Sequence, residues 1–234
     1  MMRRWLMWCG IEWAVIAITM ALTWRWPWLL PLAVIVIGSR QHALAVLGHE
    51  GAHHLIDGYR PSNDALAQAL CFWPLGGCVQ AFREFHLAHH AFVGTPDDPE
   101  IEEMRRRPDV WTDRTRRKIV RTFIEDLCGR AIPEAFGFIG RVHGAYGPAR
   151  IAYLIAVAGT AVVTGLWPLL ILWVWCIPTS MWAVVRLRVY REHLGDELLV
   201  DYPVAWWERL LYAPHNVWKH RAHHENWHIS AWTL

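Results

Sequence analysis

Nine of the fourteen histidines fall into three short boxes: His49-Glu50-Gly51-Ala52-His53-His54, His86-Leu87-Ala88-His89-His90 and His220-Arg221-Ala222-His223-His224. Imidazole is the commonest protein metal ligand. On a helix, residues three and four apart share a face, so His49 and His53 form one pair. His86 sits over His89 and His90, and His220 over His223 and His224. Each box can aim two or three nitrogens at one point. Together they exceed what one tetrahedral ion takes, which points to a polynuclear metal centre gathered from distant parts of the chain. Box one also spells H-E-x-x-H, a helical zinc-protease motif in which the glutamate is general base.

The elements that position these boxes are apolar. Over 234 residues the composition is 54% hydrophobic, with 17 tryptophans, a profile of membrane proteins rather than of soluble enzymes this size. An α-helix rises about 1.5 Å per residue, so roughly 20 apolar residues cross a bilayer. Residues 5–24 meet this with Glu12 as the one acidic interruption, and 28–47 follow after the turn Arg25-Trp26-Pro27. The N-terminal Met1-Met2-Arg3-Arg4 superficially resembles a signal peptide, but the apolar run is too long and has no A-x-A site before the next span, so it reads as a retained anchor. The second span carries Arg40, Gln41 and His42 late and runs into box one.

Residues 65–82 are apolar but broken by Pro74 and Gly76-Gly77; they read as a re-entrant or interfacial segment that delivers box two. Residues 96–130 are charged and read as an aqueous helical region. Residues 151–166 and 168–185 form a second hairpin, and the polar, aromatic remainder holds box three. The fold expected is a single all-α, integral-membrane domain over 1–234: four transmembrane helices in two hairpins, the re-entrant segment and a cytoplasmic helical cap. Five widely spaced cysteines with no C-x-x-C pair argue against a disulfide framework or cysteine-ligated cluster.

Charge placement supports this arrangement. Arg3, Arg4, Arg105, Arg106, Arg107, Arg114, Arg116, Arg117, Lys118, Arg141, Arg150, Arg186, Arg188, Arg191, Lys219 and Arg221 fall on one expected face, and the opposite turns hold only Arg25. The positive-inside rule makes that face cytoplasmic. All three boxes and both termini lie there, in a plasma or inner membrane.

The boxes resemble those of the membrane fatty-acid desaturase and hydroxylase superfamily, H-x-x-x-H, H-x-x-H-H and H-x-x-H-H. The likeness extends to Gly94-Thr95-Pro96-Asp97-Asp98-Pro99-Glu100 after box two, to Asn216 four residues before box three, and to Glu192-His193 after the fourth span. It covers residues 28 to 224 in the family's order. The resemblance implies a di-iron centre ligated by His49, His53, His86, His89, His90, His193, His220, His223 and His224. His54 lies about 100° around the helix from His53, so its membership is open. Asn216 either reaches metal through water or caps backbone groups. Glu50 and Asp98 are candidates to accept the outer N–H of ligating histidines. His42, His143, His215 and His228 belong to no box and read as structural or solvated.

The reading that follows is an O2-dependent oxidoreductase that desaturates a lipid-like or amphiphilic substrate at an unactivated C–H bond. Hydroxylation or ketone formation on the same scaffold is the alternative. The chain carries no G-x-G-x-x-G fingerprint, so electrons are expected from a separate ferredoxin or small haem protein with its reductase. The arginines of 105–121 form either a solvated face near anionic headgroups or a dock for that carrier. Nothing in the net charge of +2 points to nucleic acid. An intramembrane zinc metalloprotease on His49-Glu50-Gly51-Ala52-His53 would leave boxes two and three unexplained. A metal transporter would place its ligands near the bilayer midplane, not at the ends of spans.

Overall fold

The computed structural model describes residues 1–111, 115–141, 147–192 and 199–234. Among them the regular structure is helical, and the one β-bridge joins Asp201 to Lys219. Helix α1 (Met2–Arg25) and helix α2 (Leu30–Ala52, entered through a 3-10 turn at Pro27–Leu29) pack as a hairpin. Helix α3 (Arg60–Ala67) runs on through a π turn, Gln68–Phe72, and helix α4 (Val79–Phe92) carries box two. The charged region folds as α5 (Pro99–Arg105), α6 (Pro108–Trp111), α7 (Arg116–Leu127) and α8 (Ile132–Arg141). Then come α9 (Pro148–Val163) and α10 (Trp167–Cys176), a second π turn at Ile177–Met181, and α11 (Trp182–Glu192). Two short helices close the chain, α12 (Trp206–Leu211) and α13 (His220–Glu225).

Three stretches are long and apolar enough to cross a membrane: Met2–Arg25, Pro27–Ala52 and Trp167–Glu192, of 24, 26 and 26 residues. Their outer faces keep Ile18, Leu32 and Ile171 exposed, as lipid contact requires and water disfavours. This is an all-helical membrane protein. The expected fourth crossing corresponds to α9, whose 16 described residues rise only about 24 Å against a hydrocarbon core of about 30 Å. The expected re-entrant segment is two helices meeting at a turn, Trp73–Gly77, where Gly76 takes a positive φ.

The polar run inside α2, an interruption in a membrane span by sequence, is its point of attachment. Gln41 Nε2 donates to Trp173 O at 2.8 Å, and His42 Nε2 lies 3.1 Å from Tyr212 O. Ser39 Oγ donates to the carbonyls of Leu210 and Leu211, and Arg40 donates to Leu210 O. Arg40 also pairs with Glu12 of α1 at 2.9 Å, and Glu12 reaches His215 at 3.1 Å. A buried carboxylate in a span is tolerable only with such partners. These contacts tie α1, α2 and α10 to the segment leading into box three. Among the apolar contacts, Gly51 lets α3 close on α2: a Cβ there would lie 2.5 Å from Cβ of Ala67. All five cysteines are free, and four are buried.

Candidate metal centre

The last turn of α2 presents His49, and the chain leaves the helix at His53. Terminal helix carbonyls need donors, and here Arg83 of α4 provides them. Its Nε donates to Ala52 O at 2.8 Å and its Nη2 to Gly51 O at 3.0 Å, while Asp64 of α3 anchors the guanidinium at 2.5 Å. Asn63 Nδ2 adds a bond to Gly51 O at 2.9 Å. The same arginine therefore caps the box-one helix and fixes it against the helix bearing box two.

Among the described residues, two groups of nitrogens result. His49, His53, His86, His90 and His223 bring one ring nitrogen each to within 4.8 Å of all the others; His89, His220 and His224 do the same separately. In the first group His86 Nε2 is the hub, 2.7 Å from His49 Nε2 and 2.9 Å from the Nε2 atoms of His53 and His90. His90 Nε2 lies 3.1 Å from His223 Nε2. Donors bound at about 2.1 Å to one ion, about 90–110° apart, lie about 3.0–3.4 Å from each other. The His90–His223 spacing of 3.1 Å lies in that range, and the 2.7–2.9 Å spacings about His86 are slightly tighter than it. The two groups are neighbours, for the rings of His90 and His224 stack at 4.1 Å.

Burial keeps these rings neutral. Loss of water, followed by crowding from other imidazoles, pushes His53 down to about 3, His90 to about 4, and His223 and His224 to about 2. His86 is lowered well below the ordinary histidine value for the same reasons. Neutral imidazole is the form that ligates metal. The donor set fits a metal centre.

The remaining expected residues divide. Asp98 accepts from His89 Nδ1 at 2.9 Å, leaving Nε2 as the nitrogen that faces the group; the same carboxylate caps α5 through Glu100 N. Glu50 does not orient a histidine among the described contacts: its carboxylate accepts from Ala231 N at 3.2 Å and from Ser230, tethering the C-terminal segment to α2. Asn216 likewise donates to Ala231 O at 3.0 Å, a backbone-capping contact, and lines the cavity described below. His54 stands outside both groups because the chain turns at it: φ is +58°, the left-handed conformation that ends helices, and its ring faces Asp64 at 3.7 Å. His193 and His143 lie outside the described residues. His215, expected to be structural, holds Glu12.

Two carboxylates escaped the sequence reading. Glu100 Oε2 lies 3.1 Å from His89 Nε2, and the fully buried Glu192 lies 3.7 Å from His220 Nδ1 while bonded to Arg188. A signal existed for each: Asp98-Pro99 marks a helix start, which places Glu100 beside the capping residue that touches His89, and Glu192 belongs to the Glu-His pair.

A cavity of about 240 Å³ opens on these groups, with His49, His86, His220 and His223 on one wall. Its lining is mainly apolar, including Phe72, Leu75, Phe138, Ile139, Met181 and Trp182, with Glu103, Glu134, Arg186 and Arg188 also on it. Both π turns contribute to this lining, as π segments often do at functional sites. The arrangement can hold an apolar group against a metal centre.

Comparison with known proteins agrees. The chain is 33% identical over 97 residues to the dihydrorhizobitoxine desaturase of Bradyrhizobium elkanii, a match taking in 39% of this chain and 27% of that protein. It thus spans about a quarter of the relative's length. No solved structure matches. The family model for fatty acid desaturase matches residues 25–234, nearly the whole chain and all three boxes, and the chain belongs to that family.

Proposed function

We propose that this membrane oxidoreductase is a di-iron, O2-dependent desaturase that removes two hydrogens from an unactivated CH2–CH2 pair of a lipid-like or amphiphilic substrate. The observation that carries the reading is the meeting of two histidine groups with one apolar cavity. Two iron ions, when bound, supply the redox chemistry that draws hydrogen from such a bond. His49, His53, His86, His90 and His223 would hold one, and His89, His220 and His224 the other.

The chain's own contribution is positional. The apolar walls, Phe72 and Met181 among them, seat the substrate chain beside the histidines, and the carboxylate of Asp98 fixes the His89 tautomer. Overall, CH2–CH2, O2, two electrons and two protons give CH=CH and two waters. The electrons come from a separate ferredoxin or small haem protein with its reductase. In this reading α9 is the fourth crossing, and the histidines and both termini face the cytoplasm. Desaturation is preferred to hydroxylation because the relative named above is a desaturase. The zinc-protease reading is not favoured: His49 and His53 share their site with three further histidines, and Glu50 is committed to the C-terminal segment.

Metal quantification followed by product mass spectrometry, with a lipid extract and a reconstituted electron donor, tests the proposal. Two irons per chain and a product two mass units lighter are expected. A gain of sixteen would mean hydroxylation; one zinc and no oxidised product would overturn the reading.

A further inference from the structure

The short helix α12 exposes one apolar face. Trp206 and Trp207 share a side of the helix with Leu210, and the three are exposed at 75, 50 and 58%. The other side is used up within the protein. Leu211 packs beside Val184, Tyr212 and Ala213. Glu208 accepts from Ala205 N at 2.7 Å and from the Tyr212 hydroxyl, closing both ends of the helix.

What covers the apolar face follows from where the helix is fixed. The last carbonyls of a helix need donors, and those of α12 find them within a membrane span. Ser39 of α2 donates to Leu210 O and Leu211 O at 2.8 and 2.7 Å, and Arg40 donates to Leu210 O. Arg40 in turn meets Glu12 of α1, so the level of α12 can be read on α1. The outer face of α1 exposes Leu6, Met7, Ile11, Ile18 and Leu22, a lipid-facing stripe. Its Leu6 end is the histidine end of α2, since Trp5 Nε1 donates to Leu47 O at 2.9 Å. Glu12 stands about 9 Å inside Leu6 along the axis, with apolar stripe on both sides of it. A helix tied at that level does not lie at a water surface. Amphipathic helices lying in one leaflet bury their apolar face by about 5–10 Å, and tryptophan is enriched at that depth. The one cation of α12 is compatible with it: Arg209 stacks on Trp218 at 4.7 Å, and its long side chain reaches toward headgroups.

We propose that α12 is inserted in the leaflet on the histidine side, with Trp206, Trp207 and Leu210 against acyl chains. The segment that follows it carries His215, Asn216 and Val217 into the cavity lining and then enters box three. That wall of the cavity is thereby anchored in lipid at one end and in the histidine groups at the other. The inference rests on the membrane spans and holds whatever metal the histidines bind.

The test uses the full chain in nanodiscs of palmitoyl-oleoyl phosphatidylcholine. Cys128, the exposed cysteine, is replaced by serine, and one cysteine at a time is introduced for a nitroxide label. At Trp206→Cys and Leu210→Cys the label should collide with oxygen far more than with a water-soluble nickel chelate, in the ratio found for Ile18→Cys on the α1 stripe. Glu102→Cys, taken from an exposed ion pair, gives the aqueous reference. A ratio equal to that reference would place α12 in water and overturn the inference. A label shielded from both reagents would also overturn it, by placing a protein surface such as a second copy on that face. A label-free measurement covers the case in which the labelled variants do not fold. The emission difference between wild type and Trp206→Phe should shrink when the lipid is brominated, and a difference that bromine leaves unchanged overturns the inference.

Discussion

The two nitrogen groups sit side by side and are built in different ways. The five-donor group takes His49 and His53 from the end of α2 and His86 and His90 from α4, leaving only His223 to come from elsewhere. Its two main helices run 23 and 14 residues, and Arg83 joins them by bonding the last carbonyls of one from a side chain of the other. The three-donor group takes two of its members from α13, six residues long. A helix that short does not hold itself together in water. Asp201 steadies its first turn, accepting from Arg221 N at 2.8 Å and Ala222 N at 3.3 Å, and Lys219 is tied to Leu234 O at 2.5 Å. One group is organised by long packed helices, the other by tethers, so the second should bind its ion less tightly.

Removal of one histidine from each group gives the largest expected effect. His86→Ala removes the nitrogen that lies within 2.9 Å of three others and should abolish product formation together with the ion of the five-donor group. His224→Ala should also abolish turnover but leave that ion in place. In wild type, stepwise chelation should strip the three-donor group first. Bound iron per chain, measured through a chelator titration, checks all three. Equal loss from both groups in each variant would break the comparison, for it would mean that the histidines act as one shared cluster.

The next effect is smaller and separates two roles of one side chain. Asp98→Asn retains an N-cap, since asparagine caps about as well as aspartate, but replaces the anion that faces His89. An outer partner of this kind is worth about 10–100-fold in metal affinity or activity, and the loss should fall on the three-donor group. Asp98→Ala should add a stability loss of about 1 kcal/mol from the missing cap, visible in thermal melts of the iron-free chain. If neither variant loses iron and both melt like wild type, Asp98 acts through neither role.

What was legible in the sequence follows the range of the interactions. Box spacing is local, so the helical faces of His86, His89 and His90 could be read from periodicity alone, and Asp98 could be nominated because carboxylates commonly back ligating histidines. The spans were legible because apolar length is local too. Arg83 was not, because capping a helix 31 residues earlier depends on how α4 docks. The tether of Glu50 was out of reach for the same reason: its partner, Ala231, is 181 residues away. Glu12 read as a blemish in a span until Arg40 and His215 were brought to it by tertiary packing. The end of α9 was placed three residues late because apolar composition continues through Leu166, past the point where the helix ends at Val163 and Gly165 takes φ +74°.

The smallest effect concerns the boundary of the five-donor group. His53 and His54 are adjacent and chemically identical, yet one belongs to the group and the other does not, because the backbone changes hand between them: φ is −87° at His53 and +58° at His54. A left-handed residue costs about 1–2 kcal/mol when it carries a side chain, and glycine relieves that cost while giving back about 0.5–1 kcal/mol through its freer unfolded state. The contact of His54 with Asp64 is 3.7 Å long and part-exposed, and such pairs contribute about 0–1 kcal/mol. The terms nearly cancel. His54→Gly should therefore keep full iron, keep turnover and melt within about 1 kcal/mol of wild type, whereas His53→Gly should lose the ion. Iron content decides between them, and an iron loss in His54→Gly would show that the group extends past the end of α2, dissolving the distinction between a helix-built group and a tethered one.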